Sequence, residues 1–210
     1  AGGTSRGSAY HRVLELLDYS KYEMTSFVND QYEGLQQNEN IMESGLNFVE
    51  ETDSNKKKMK LNLVNAIKQD METFVAEGRL TKEYKELVRA DKIANFVMST
   101  YGQKMCIASK QGKLYKERPF VMGIPANRVN PDFPSEEIVL IQGIIDVYFE
   151  EDGQLVVLDY KTDRVDAMEE LIHRYKTQLS YYGEALQSII QKPVKERVIY
   201  SFALEKETAW

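Results

Sequence analysis

An α/β architecture, with a mixed central sheet flanked by helices, is the fold class this sequence predicts from three observations. The first half of the chain carries helical periodicity and lacks strand-like alternation. From about Gly112 onward, runs rich in β-branched and aromatic residues take over. Before the last of these runs lies one long apolar stripe at helical spacing, so a helix must cross between strands.

In chain order, helices are predicted at about Ser5 to Leu17, Leu61 to Glu77, Lys82 to Arg89 and Asp91 to Tyr101. Thr81 is a candidate N-cap after a stop at Gly78. Between Asn38 and Lys60 polarity is high and the apolar signal poor, which predicts a mobile loop. Strand character starts near Gly112, in LYKERPFVMGIP, and resumes at Glu137 to Glu150, Leu155 to Lys161 and Arg197 to Leu204. The crossing helix runs from about Asp166 to Gln191, with Met168, Leu171, Ile172, Tyr175, Leu179, Tyr182, Leu186 and Ile190 on one stripe. No repeat or Gly/Ser linker divides the 210 residues, which are enough for one sizeable core. The expectation is a single domain, mainly helical over 1–110 and α/β over 111–210.

The most informative stretch is residues 143–163, GIIDVYFEEDGQLVVLDYKTD. Asp152-Gly153 between apolar runs predicts a two-residue type I′ turn, which places Tyr148 opposite Val157, Asp146 opposite Asp159 and Ile144 opposite Lys161. Alternation then sends Asp159 and Lys161 to one side and Tyr160 to the other. Opposed like charges destabilise a strand pair by about 0.2–1 kcal/mol at a wet surface. In an apolar setting the cost rises, so something positive should stand between them. Lys161 supplies part of that charge, and a hard cation such as Mg²⁺ would supply the rest. The competing reading is an ordinary Asp159–Lys161 ion pair with Asp146 a solvated strand residue. A bulged three-residue turn would shift the register and send Asp146 to the opposite face.

With GIID, LDYKTD and QLSYY as they stand here, the chain resembles the RecB family of PD-(D/E)xK nucleases, and within it the nuclease domains joined to ATP-dependent helicases. Softer matches extend through GSAYHRVLELLD, EGRLT and KERPFVMGIPA. The resemblance implies a restriction-endonuclease-like core with an N-terminal helical elaboration. It implies Asp146 and Asp159 as metal ligands, the Tyr160 carbonyl as a third, and Lys161 as the group that holds or activates the attacking water. Mg²⁺, with Mn²⁺ as substitute, is the implied cofactor. It also implies a histidine ligand, at His11. By itself, a histidine beside Val13, Leu14, Leu16 and Leu17 reads as packed or surface. Glu15, one turn on, is a weaker candidate to assist, and His173 reads as solvated. Gln178 and Tyr182, four apart on the stripe, match the family's last motif and are expected to meet the metal site or the DNA backbone, although a tyrosine there also suits a core. Tyr175 and Tyr181 read as packing or surface aromatics. Glu117 reads equally as a residue near the metal or as a partner of Lys116 or Arg118.

Cys106 is the only cysteine, which excludes a disulfide framework and a four-cysteine iron–sulfur cluster within this chain. Cys106 itself reads as a buried small side chain. No signal peptide, membrane-length apolar run or P-loop is present, so the expectation is a cytoplasmic protein, without a membrane partner, whose motor lies elsewhere. The absence of an initiator Met before Ala1 suggests a piece of a larger polypeptide, and the resemblance implies that the remainder is a helicase. It further implies single-stranded DNA as substrate, cut 3′ to 5′ during double-strand-break processing, with a second helicase/nuclease protein as partner. The net charge of −6 runs against strong intrinsic DNA affinity. Lys56, Lys57, Lys58 and Lys60 form the one basic run, read as a solvated helix start over a phosphate contact. Two other readings stay open: an inactive scaffold that guides DNA, and a stand-alone exonuclease.

Overall fold

The computed structural model describes residues 2–24 and 45–210. It divides into two compact units, 1–112 and 113–210.

The first unit is helical: α1 (Gly2–Leu16), α2 (Gly45–Ala76), α3 (Lys82–Leu87), α4 (Ala90–Val97) and α5 (Thr100–Lys110), with a 3-10 turn at Tyr19–Lys21. Its caps follow local chemistry. Thr81 accepts from the Tyr84 amide at the start of α3, as expected. Gly78 takes the positive φ of +71° that ends the helical run of α2. Tyr10, Val13, Leu14, Leu17, Ile67, Ile93, Phe96, Val97 and Met105 are buried, and so is Cys106. Each such large side chain contributes about 1.5–3 kcal/mol relative to exposure.

Two expectations in this unit are overturned. Residues 45–60 form the first turns of α2 instead of a loop, because nothing between Leu46 and Ala76 is Gly or Pro and the tract is rich in Lys and Glu, which suit a helix. Residues 38–44 of the expected loop lie outside the described residues. The helix expected over Asp91–Tyr101 divides at Met98–Ser99. Ser99 leaves helical geometry to accept the Gly102 amide, and a Cβ on Gly102 would stand 2.0 Å from the Phe96 carbonyl oxygen. Only glycine lets α5 start so close to the end of α4.

The second unit is a five-stranded mixed sheet in the order β1-β2-β3-β4-β5, formed by β1 (Leu114–Pro125), β2 (Ile138–Glu151), β3 (Gln154–Lys161), β4 (Val194–Ser201) and β5 (Lys206–Ala209). All pairs are antiparallel except β3–β4, whose parallel pairing is made possible by the crossing helix α6 (Met168–Ile190). The apolar stripe of α6 packs on the sheet through Tyr182, Ala185 and Leu186 in one cluster and Leu171 and Leu179 in another. The last expected strand begins three residues earlier than Arg197 and stops at Ser201. There Ser201 accepts the Leu204 amide and turns the chain back into β5, a four-residue strand too short to show a periodicity.

Candidate active site

The β2–β3 hairpin fixes the site. Asp152 and Gly153 have φ of +52° and +76°, the signs a type I′ turn requires, and Glu151 pairs with Gln154 and Tyr148 with Val157, the predicted register. The ladder stops at Val147–Leu158, one position before the aspartates, so the Asp146–Asp159 and Ile144–Lys161 positions carry no backbone pairing. The Asp146 side chain supplies the physical reason. Its Oδ2 accepts the Tyr160 amide at 2.9 Å, so the carboxylate takes up a backbone donor at the point where the ladder ends. Asp146 and Asp159 are 7% and 2% exposed, burial that a solvated strand residue does not show.

Asp159 and Lys161 share a side, with Lys161 Nζ 2.6 Å from Asp159 Oδ2, while Tyr160 turns away and packs against Phe202. The ammonium lies at ion-pair distance but outside hydrogen-bond alignment, so this buried Oδ2 has no hydrogen-bond partner. Burial, and then the neighbouring Asp146, push the Asp159 pKa up, and Lys161 opposes them. Burial alone would lower Lys161, but the pull of Asp159 outweighs it and the ammonium is held more firmly than an ordinary lysine.

A third carboxylate joins from β1. In the β1–β2 register Glu117 falls opposite Asp146, between the Lys116–Val147 and Arg118–Ile145 pairs, and is left out of the ladder because its φ is +48°. One carboxylate oxygen of Glu117 lies within 4.8 Å of one of Asp146. Sequence reasoning left Glu117 open between two roles because its unusual backbone has no sequence signature: Glu is not a residue that announces φ > 0.

From α6, Gln178 Nε2 donates to Tyr182 Oη at 2.5 Å, and the Tyr182 ring stands edge-on to Phe120 at 5.3 Å. Burial, then the Asp159 charge, push the Tyr182 hydroxyl up to about 12, so it remains a neutral donor. Tyr175, read from sequence as a packing or surface aromatic, places its ring 3.7 Å from Lys161 Nζ and donates its hydroxyl to Asp163 at 3.1 Å. Its place on the stripe with Gln178 and Tyr182 was the available signal. Tyr181 meets Arg128 at 5.5 Å, and His173 is exposed. His11 lies half-buried on α1 in the other unit, and Glu15 is engaged by Arg12 at 2.6 Å.

The donor set fits a hard divalent cation. Glu117 and Asp146 bring carboxylate oxygens within 4.8 Å of one another, Asp159 neighbours Asp146 and carries the Lys161 ammonium beside it, and one buried Asp159 oxygen lacks a hydrogen bond.

Tyr182→Phe separates the roles of this side chain. Folding stability should change by less than about 1 kcal/mol, since the ring and its contact with Phe120 stay. Turnover should fall several-fold, and unchanged turnover in a cleavage assay would remove the hydroxyl from the site.

Comparison with known proteins agrees with this geometry. The family model of the PD-(D/E)XK nuclease superfamily matches residues 2–208. An ATP-dependent helicase/nuclease subunit of Lachnoclostridium phytofermentans is 32% identical over 98% of this chain and 15% of its own length. The proteins of the same name from Clostridium perfringens and Clostridium novyi are 40% and 37% identical over 70% and 69% of this chain, and 12% of theirs. The chain thus spans about 15% or less of the length of these relatives. With the matched family covering both units and the paired aspartates and lysine in place on the hairpin, the chain belongs to the PD-(D/E)XK nuclease superfamily.

Proposed function

We propose that this chain is the nuclease domain of a larger helicase/nuclease protein and hydrolyses phosphodiester bonds of single-stranded DNA in a Mg²⁺-dependent way. The observation that carries the reading is the buried Asp146–Asp159 pair on neighbouring strands, with Lys161 against Asp159 and Glu117 of the next strand within 4.8 Å of Asp146. Asp146, Asp159, Glu117 and the Tyr160 carbonyl would hold the metal, and the family resemblance makes His11 a further proposed ligand. A bound divalent cation supplies Lewis-acid polarisation of the phosphodiester and lowers the pKa of a coordinated water. Lys161 offers its ammonium to the negative charge that accumulates on phosphorus-bound oxygens, in a buried setting where such stabilisation is strong. Gln178 and Tyr182 present an amide and a neutral hydroxyl to the DNA backbone. The larger context we propose, as the family resemblance implies, is 3′ to 5′ degradation at broken double-stranded ends beside a second helicase/nuclease protein, in the cytoplasm. No helix among the described residues is long and apolar enough to cross a membrane.

The test is cleavage of single-stranded DNA labelled at either end, with Mg²⁺ or Mn²⁺ and with EDTA. Metal-dependent loss of nucleotides from the 3′ end supports the reading in full. Metal-dependent cutting with the opposite polarity removes only the direction. No cutting by the domain joined to its helicase portion would leave the scaffold reading in its place.

Binding should be weak in isolation. The net charge of −6 and the carboxylate row repel phosphates, and the exposed Lys56, Lys57 and Lys58 on α2 offset this only locally. A tethered motor would replace intrinsic affinity with effective concentration. Fluorescence anisotropy at physiological salt should give a dissociation constant above roughly 10 μM, weaker than a specific complex. A nanomolar value contradicts this.

A further inference from the structure

We infer that Tyr175 is a positioning residue for Lys161, an inference that rests on the nuclease reading and adds to it. A lysine ammonium is a point charge on a flexible four-carbon stem, and an ion pair at one oxygen fixes its distance but not its direction. Lys161 has such a pair, with Asp159 Oδ2 at 2.6 Å. The second restraint is the ring of Tyr175, whose centroid lies 3.7 Å from Nζ, well inside the range of a cation–π contact. The ring is itself anchored, since the Tyr175 hydroxyl donates to Asp163 Oδ1 at 3.1 Å. Asp163 follows two residues after Lys161, so the end of β3 and the second turn of α6 are tied around the ammonium. Arg174 Nη1, 3.9 Å from the same Asp163 oxygen, favours the charged acceptor.

The choice of an aromatic face is chemically apt. Another carboxylate against Lys161 would add negative charge where a phosphodiester must approach. A π face attracts the ammonium while adding no net charge. An ammonium has three donors, and neither a ring face nor a single carboxylate oxygen uses all of them. Packing alone does not account for the arrangement, because Tyr175 remains partly exposed while its polar end and its ring face are both engaged.

The test combines a spectroscopic and a kinetic readout. In the metal-free protein labelled with ¹³C-lysine, the Lys161 ε-CH₂ signal, assigned by its loss in Lys161→Arg, should lie upfield through the ring current. Tyr175→Phe should keep that displacement and Tyr175→Leu should lose it. In DNA cleavage, Tyr175→Leu should lower kcat about tenfold with KM within about twofold, and Tyr175→Phe should recover to within about threefold of the unmutated protein. The Mn²⁺-induced rise in melting temperature should be the same in both variants, because no metal ligand is removed. An ordinary ε-CH₂ shift in the unmutated protein overturns the contact. Equal kinetic loss in Phe and Leu variants, or a change confined to KM, overturns the positioning role. If the unmutated protein joined to its helicase portion cuts no DNA, the nuclease reading fails on its own, and the ε-CH₂ shift still decides whether the ring holds the ammonium.

Discussion

Asp159→Asn should reduce metal-dependent cleavage by at least roughly 1,000-fold, as expected for loss of a group acting on transition-state charge, and should stabilise the metal-free fold. The second half follows from where Asp159 sits. Burial first, then the charge of Asp146, raise its pKa in the folded state, so between the unfolded and folded pKa values the folded protein binds more protons. Stability from this group is therefore fully present below the ordinary carboxylate value and is lost as pH rises from there through the raised folded value of about 7. Asn carries no charge, so the melting-temperature gap between variant and unmutated protein should widen from pH 5 to pH 8. Lys161→Ala should be equally inactive and have the opposite effect on stability. It leaves Asp146 and Asp159 buried without their ammonium, at a loss of about 1–3 kcal/mol, limited by proton uptake at Asp159. Added Mn²⁺ should raise the melting temperature of the unmutated protein, by RT ln(1 + [L]/Kd), and raise that of Asp159→Asn far less. An Asp159→Asn protein that cuts DNA normally, or one that is destabilised at pH 8, would return Asp159 and Lys161 to a structural ion pair.

What was legible in the sequence is what local rules decide. Asp152-Gly153 specifies a turn that fixes register, and register alone brings Asp146, Asp159 and Lys161 together without knowledge of any other element. The α6 stripe was legible for the same reason: its period needs only the chain itself. The missed features depend on non-local context or on weak signals. Residues 45–60 look like a loop because their helix has no apolar stripe, yet no residue in them breaks one. Tyr175 carries the same stripe signature as a packing residue, and only the position of Lys161 across from it distinguishes the two roles. The exchange of a backbone partner for the Asp146 carboxylate, at the Tyr160 amide, is likewise a property of the assembled hairpin.

Glu117 offers the sharpest separation of function from stability. A non-glycine residue at φ +48° within a strand stores strain of about 1–2 kcal/mol, and here the strained residue brings a carboxylate to within 4.8 Å of Asp146. Both terms oppose folding in the absence of metal: the backbone is in a region that favours glycine, and two carboxylates repel. Glu117→Gly relieves both, and the gain exceeds the entropy that glycine adds to the unfolded chain. The metal-free melting temperature should therefore rise, by roughly 2–4 °C for about 1 kcal/mol in a domain of this size. Glu117→Ala removes the repulsion but keeps the strained backbone, so it should fall below the glycine variant in stability and equal it in lost cleavage, at roughly 100-fold or more. Thermal unfolding with EDTA, beside cleavage with Mg²⁺, measures both. A glycine variant that is fully active would show that Glu117 is only a strained surface charge, and one less stable than the alanine variant would show that the φ of +48° is not the strain it is taken to be. If both measurements fall as expected, the backbone at Glu117 is held away from its preferred conformation by what the site needs, and the fold carries that strain to complete a ligand set.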